Sequence, residues 1–200
     1  MSIFDFNNLR NVAQLTDLMA RVFWNVPDEG LLKIFKTFIS EVFNPDEESI
    51  RLISEATNVM LEESFMEIAV DYTSLFASYH LDSPHPYESV YRNKKGLLMG
   101  DIRDAVLECY KATSYQVESG EVNEPEDHIS HELWFISYLF NRAADAQEQS
   151  DATLAQKSLD DASSFRNEHL SKWIPQFSND ISRQAKTGFY RGIAILLCLI

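Results

Sequence analysis

Asp127, His128, His131 and Glu132 crowd two acids and two imidazoles into two helical turns. If one helix carries them, His128, His131 and Glu132 fall at i, i+3 and i+4, a spacing that could offer three ligands to one metal ion. The ferritin-like di-iron pattern needs Glu-x-x-His on two helices, and no second helix supplies it. The zinc-protease order His-Glu-x-x-His is absent as well. As acid–base chemistry, Asp127 and His131 are placed to pair at i, i+4, whereas Asp127 and His128 point about 100° apart on a helix. A lone Asp–His pair has no evident nucleophile or oxyanion donor, and there is no Gly-x-Ser-x-Gly elbow. Gly96 and Gly100 lie beside Lys94 and Lys95, but at a spacing that fits neither phosphate-binding loop. A metal-dependent helical enzyme using His128, His131 and Glu132 is therefore the rival reading, and a polar helix face the plainer one. The aromatic residues Phe65, Tyr72, Phe76, Tyr79, Tyr87 and Tyr91 could line a groove for an apolar or peptide ligand, although Phe65 and Phe76 suit a core equally well.

The stretch that must position the cluster reads as the start of a buried helix. Asn123 can cap it, Glu126 can complete a capping box, and Pro125 suits the first turn. Ile129, Leu133, Ile136 and Phe140 then share one face as far as about Ala146. The same periodicity predicts helices over Asn8–Asn25, Asp28–Phe43 and Ile50–Met60. A further helix is capped by Ser64 with Glu67, and others cover Met99–Ser114 and Leu154–Trp173. Pro175 marks a new start for a last helix running through Leu196. His80 to Lys95 breaks the pattern, because Pro84 and Pro86 keep His85 and its neighbours out of helix. A long aromatic loop of this kind is a common place for function. Gln147 to Thr153 is polar and reads as a hinge. No stretch alternates with period two for long enough to be a strand. The expected fold is all-α, a single-domain bundle of eight to ten helices spanning residues 1–200.

Composition excludes several classes. Thirty-one acidic residues against 17 basic ones give a formal charge of −14, which repels phosphate backbones and speaks against nucleic-acid binding. It would suit a basic partner. Cys109 and Cys198 share no short spacing, so neither a disulfide framework nor a cysteine metal site is expected. The N-terminus lacks the basic patch and long apolar run of an export signal, and the apolar run Ile193–Ile200 is too short to span a bilayer. A cytoplasmic protein without membrane insertion is expected.

Asn123-Glu124-Pro125-Glu126-Asp127-His128 resembles the signature of the TorD/DmsD/NarJ family of chaperones for molybdenum-containing oxidoreductases. Tyr72-x-x-Leu75-Phe76, Pro86-Tyr87-x-Ser89-Val90-Tyr91 and Gly96-Leu97-Leu98-Met99-Gly100 resemble a second block. Glu168-His169-Leu170-x-x-Trp173-x-Pro175 and Phe189-Tyr190-Arg191-Gly192 resemble a third, and Val22-Phe23-Trp24-x-x-Pro27 is similar too. The resemblance, closest to the TorD/DmsD branch, implies an all-helical cytoplasmic chaperone that is not an enzyme; no cofactor is expected from the residues, since no nucleotide-binding loop is present. It implies binding of the twin-arginine signal peptide of a molybdopterin oxidoreductase, whose apo-form is held until its cofactor is loaded. The alternative within the family is a nitrate-reductase-type assembly factor for a partner that is not exported. Carried over by position, signal-peptide contact would involve Tyr72, Leu75, Phe76, Pro86, Tyr87, Ser89, Tyr91, Pro125, Asp127 and His128. A monomer or a domain-swapped dimer, exchanging across the hinge at 147–153, fits the same reading. His131 and Glu132 gain no role from the resemblance and are expected on a solvated or core-edge helix face.

Overall fold

The computed structural model describes residues 8–42, 63–77, 82–93, 100–117 and 124–200. The helix expected over Ile50–Met60, Tyr79 and the Asn123 cap lie outside the described residues. In chain order the elements are α1 (Leu9–Trp24), α2 (Glu29–Val42), α3 (Phe65–Phe76), α4 (Glu88–Arg92), α5 (Asp101–Ala112), α6 (Ile129–Glu148), α7 (Ala152–Phe165), a π-helical turn (Arg166–Leu170), α8 (Ser171–Gln184) and α9 (Gly188–Leu197). The all-α expectation holds. Among the described residues no helix is long and apolar enough to cross a membrane. The described residues divide into two compact units, one within Arg21–His85 and Ile174–Ile200, the other within Asn8–Ala20 and Pro86–Trp173.

The first unit has an aromatic core. Phe76 packs edge-on against Phe23 at 5.5 Å and Tyr190 at 5.4 Å between ring centres, and Phe35 meets Phe189 at 5.8 Å. Helix α3 starts as the sequence predicts: Ser64 Oγ accepts from the Glu67 N–H, and Glu67 reaches back to the Ser64 N–H. The single last helix expected from Pro175 to Leu196 is in fact two. Lys186 and Thr187 donate their N–H groups, and Thr187 its hydroxyl, to the buried carboxylate of Asp71. Glu63 accepts from the Gly188 and Phe189 N–H groups at 2.6 and 2.7 Å. Two carboxylates thus satisfy the amides that open α9 and sit at its positive end, which outweighs continuing the α8 ladder.

Pro175 does not begin a helix either. It lies inside α8, which starts at Ser171. The π turn just upstream widens the ladder so that Ser171 N–H reaches back to Arg166 O. The rod therefore continues through a proline that has no amide to give.

The second unit packs α6 with α7, α5 and the Leu9–Ala20 part of α1. Leu133, Phe135, Ile136 and Leu139 of α6, Ala155, Ala162 and Phe165 of α7, Val106 and Tyr110 of α5, and Leu15 of α1 are all buried. Phe135 meets Phe165 at 4.8 Å and Tyr110 at 4.7 Å. Ser130 and Ser137 donate their hydroxyls to the carbonyls of Ala20 and Ala13. The polar stretch at 147–153 is a tight helix–helix turn. Ser150 takes φ 61, the Asp151 N–H reaches Ala146 O at 2.8 Å, and the Asp151 carboxylate caps α7 through the Leu154 N–H.

Candidate functional site

The proline-aromatic loop and the acidic motif meet inside the second unit. Tyr87 and His128 form an isolated antiparallel bridge. Ile129 N–H donates to Pro86 O at 2.8 Å and Glu88 N–H to Asp127 O at 3.0 Å. The Asp127 carboxylate adds a rung, its Oδ2 accepting from Ser89 N–H at 2.8 Å. Helix α6 consequently starts at Ile129, six residues after the expected cap Asn123. Glu124 to Asp127 precede the helix, with the His128 N–H donating to Pro125 O in a turn. The bridge holds His128 extended and leaves Asp127 in the turn before it, so neither takes the helical first turn that the local capping pattern favours. His128 itself is the N-cap, its Nδ1 accepting from Ser130 N–H at 3.1 Å. Asp127 precedes the helix, so the spacing that would pair it with His131 is not realised. His80–Lys95 likewise departs from a pure loop, since Glu88–Arg92 forms the short helix α4 once the prolines are passed.

Around this bridge the exposed groups are few. Tyr87, half-buried, donates its hydroxyl to Glu124 Oε2 at 2.5 Å and rests its ring edge on His128. Arg103 forks onto Glu126 at 2.5 and 2.7 Å. Pro125 and Tyr91 are half-buried, whereas Pro86, Ser89, Asp127 and His128 are buried. Asp127 is 0% exposed, and its Oδ1 accepts no hydrogen bond from any described residue.

Beneath the bridge lies a buried polar network. Glu88 and Glu132 are both 0% exposed. Glu88 Oε2 pairs with His169 Nδ1 at 2.9 Å, and its Oε1 with the Arg92 guanidinium. Trp173 donates its indole N–H to Glu132 Oε2 at 3.1 Å. Arg92 also donates to Glu168 O at 3.1 Å, and Tyr91 packs on Trp173 at 5.6 Å. The expectation that His131 and Glu132 sit on a solvated or edge face is thus corrected: both are buried, Glu132 because Trp173 and Glu88 give its carboxyl partners. Burial, and then the charge and hydrogen bond of Glu88, push the Glu132 carboxyl well above the ordinary range.

The histidines divide. Burial, with a smaller push from His131, lowers His128 to about 3. Burial also pulls on His169, but its bonds to Cys109 and Glu88 outweigh that and raise it to about 9. His128 therefore withdraws stability as pH falls from 6.5 toward 3, because only the unfolded chain takes up its proton. His169 contributes stability that is complete below 6.5 and is lost as pH rises toward 9. Glu132, whose neutral form is favoured in the folded state, contributes stability that is complete below 4.5 and is lost as pH rises above it, opposing the His128 gain up to 6.5 and adding to the His169 loss beyond. Urea midpoints measured across pH should fall below pH 4.5 and above 6.5 with a broad optimum between, with limbs of up to about 1.4 kcal/mol per pH unit for each proton. A midpoint rising steadily from pH 5 to 9 would refute these assignments.

Among the described residues, no group of three or more His, Cys, Asp or Glu side chains is arranged to hold a metal ion. His128 is a cap rather than a helical ligand, and Glu132 is engaged by Trp173. The other candidate residues belong to the first unit. Leu75 is buried, and Tyr72 and Phe76 are half-buried, with the Tyr72 hydroxyl donating to Phe23 O at 3.3 Å.

Parts of the three sequence blocks thus meet within the second unit: Pro86–Tyr91 and Glu124–His128 share the bridge, and Glu88 with Arg92, Glu132 and Glu168–Trp173 share the buried network beneath it. The family model described as nitrate reductase delta subunit matches residues 42–179. The chain belongs to that family, the NarJ/TorD family. A chaperone protein TorD of Vibrio cholerae is 32% identical over 167 residues, covering 80% of this chain and 73% of the relative. The Aliivibrio fischeri chaperone protein TorD is 30% identical, covering 81% and 75%. The crystal structure of an Archaeoglobus fulgidus protein, described as a candidate redox enzyme maturation protein, shares the fold with a TM-score of 0.59 at 20% identity, covering 94% of this chain and 93% of that one. Within the NarJ/TorD chain, Glu88, Arg92, Cys109 and His169 are the site residues that motif reading passed over. One signal was available for two of them, the i, i+4 spacing of Glu88 and Arg92.

Proposed function

We propose that this chain is a cytoplasmic maturation chaperone, not an enzyme, which binds the twin-arginine signal peptide of a molybdopterin oxidoreductase and holds the apo-enzyme for cofactor loading. Membership of the NarJ/TorD family and the TorD-named relatives support it. The observation that carries the peptide reading is Asp127: a wholly buried carboxylate with one oxygen bonded to Ser89 and the other accepting nothing from a described residue. An arginine guanidinium is a natural donor for such an oxygen. Beside it Glu124 adds negative charge, Glu126 being paired with Arg103, and Tyr87 and Tyr91 are half-buried aromatic surface. Signal-peptide contact is assigned to two sets, each in its own unit: Pro86, Tyr87, Ser89, Tyr91, Pro125, Asp127 and His128 in one, and Tyr72, Leu75 and Phe76 in the other. Ser89 and His128 act by shaping the bridge, being buried and bonded within it.

Asp127→Asn keeps an oxygen for the Ser89 N–H and removes the charge. Its affinity for a twin-arginine peptide should fall about tenfold or more, with a flatter salt dependence, in fluorescence anisotropy. Unchanged affinity and slope would take Asp127 out of the site. Wild-type binding no stronger than to a scrambled peptide would sink the reading as a whole. The family description favours a second reading, an assembly factor for a non-exported nitrate reductase; mass spectrometry of proteins co-purified from the native cell separates the two.

A further inference from the structure

We infer that Cys109 is the nucleophile of a built Cys109–His169–Glu88 triad and a site of covalent modification by hydroperoxides. Three elements supply it: α5, the π turn and α4. Cys109 Sγ lies 3.7 Å from His169 Nε2, and His169 Nδ1 lies 2.9 Å from Glu88 Oε2. Both ring nitrogens are therefore committed. Nδ1–H donates to the carboxylate, which leaves Nε2 facing the sulfur and able to share one proton with it. Phe165 stacks on the His169 ring at 4.7 Å and 20°, which fixes its plane. Arg92 holds the other oxygen of Glu88, so the carboxylate cannot swing away.

Thiols packed beside histidines are common in protein cores. A histidine held from behind by a carboxylate, with its own ring clamped, is the arrangement that activates a nucleophile. Burial is graded in the direction the chemistry needs: Glu88 and His169 are shielded from water, while Cys109 is only half-buried. The charged and titratable groups facing the pair are Glu88 and Arg92 from α4, Tyr110 beside Cys109 on α5, Glu132 from α6 against Glu88, and Asp127 from the turn before α6. The raised proton affinity of His169 agrees with an imidazolium held between carboxylate and sulfur.

The step balances without any other reactant. The Cys109 sulfur attacks one oxygen of the hydroperoxide, an S–O bond forms and the O–O bond breaks. The departing oxygen takes the proton from His169 Nε2. Cysteine is oxidised to the sulfenic acid and the hydroperoxide is reduced to an alcohol, or to water when it is hydrogen peroxide. His169 is left neutral, so Glu88 loses one of its two cationic partners. Oxidation at Cys109 is thereby reported through Glu88 to Glu132.

The test uses the full chain, with Cys198, exposed at the C-cap of α9, as internal control. At pH 6.5, iodoacetamide should modify Cys109 about tenfold faster than Cys198, read by peptide mass spectrometry, although Cys198 is the more accessible. His169→Gln should bring Cys109 down to the rate of Cys198 or below and leave Cys198 unchanged. Hydrogen peroxide followed by dimedone should tag Cys109 in the wild type. Cys109 reacting no faster than Cys198 in the wild type overturns the inference, and that comparison stands even if the variant does not fold.

Discussion

Asp71→Ala should destabilise the protein by about 3–5 kcal/mol, seen as a lower urea midpoint by circular dichroism. The side chain is 1% exposed, and three donors depend on it: the Lys186 and Thr187 N–H groups and the Thr187 hydroxyl. Alanine leaves those donors at the opening of α9 without their charged acceptor, in a place water reaches poorly. Glu63 would remain on the Gly188 and Phe189 amides, which is why the helix should survive and the loss stay below total unfolding. Asp71→Asn keeps one acceptor oxygen but turns an amide toward donors, so roughly half the loss is expected. A change under about 1 kcal/mol for Asp71→Ala would show that the junction is held by other contacts.

The second large effect is a contrast between two buried glutamates. Glu88→Ala strips His169 and Arg92 of their shared counter-charge and should cost about 3–5 kcal/mol, the usual result of breaking a buried ion pair from one side. Glu132→Gln should cost less than about 1 kcal/mol. Its carboxyl is raised well above the ordinary range and held neutral beside Glu88, and glutamine still offers an oxygen to the Trp173 indole. The network therefore carries one structural charge among its two acids, and it is on Glu88. Equal losses for the two variants, or a larger loss for Glu132→Gln, would reverse that assignment.

Sequence reading succeeded for short-range pairings, though not at Pro175, where the adjacent π turn carries the helix through. The Ser64–Glu67 capping box spans three residues and is present, and α1 and α2 end within about two residues of their expected bounds. It failed where the partner is remote. The start of α6 was misplaced because Pro125 and the acids satisfy every local rule for a first turn, while Pro86 and Glu88 compete for the same backbone from about forty residues away. The break at Thr187 depends on Asp71, more than a hundred residues upstream. Glu132 and His131 were assigned outward because periodicity counts a charge as a vote for solvent. That vote is void when a tryptophan N–H and a second carboxyl await the side chain. The candidate site was legible as four residues that do meet, Pro86, Tyr87, Asp127 and His128. The glutamate, arginine and histidine underneath them were not.

The pairing of Glu88 with His169 spans 81 residues, and this sets a clock on synthesis. At roughly 5–20 residues per second, a ribosome needs about 4–16 s to add the histidine after the glutamate. During that interval Glu88 lacks the histidine that accompanies it in the folded chain, so the buried network of the second unit stays incomplete. The Asp127 bridge, 38 residues from Ser89, can form in half that time, which leaves a window in which the upper rungs stand over an unfinished floor.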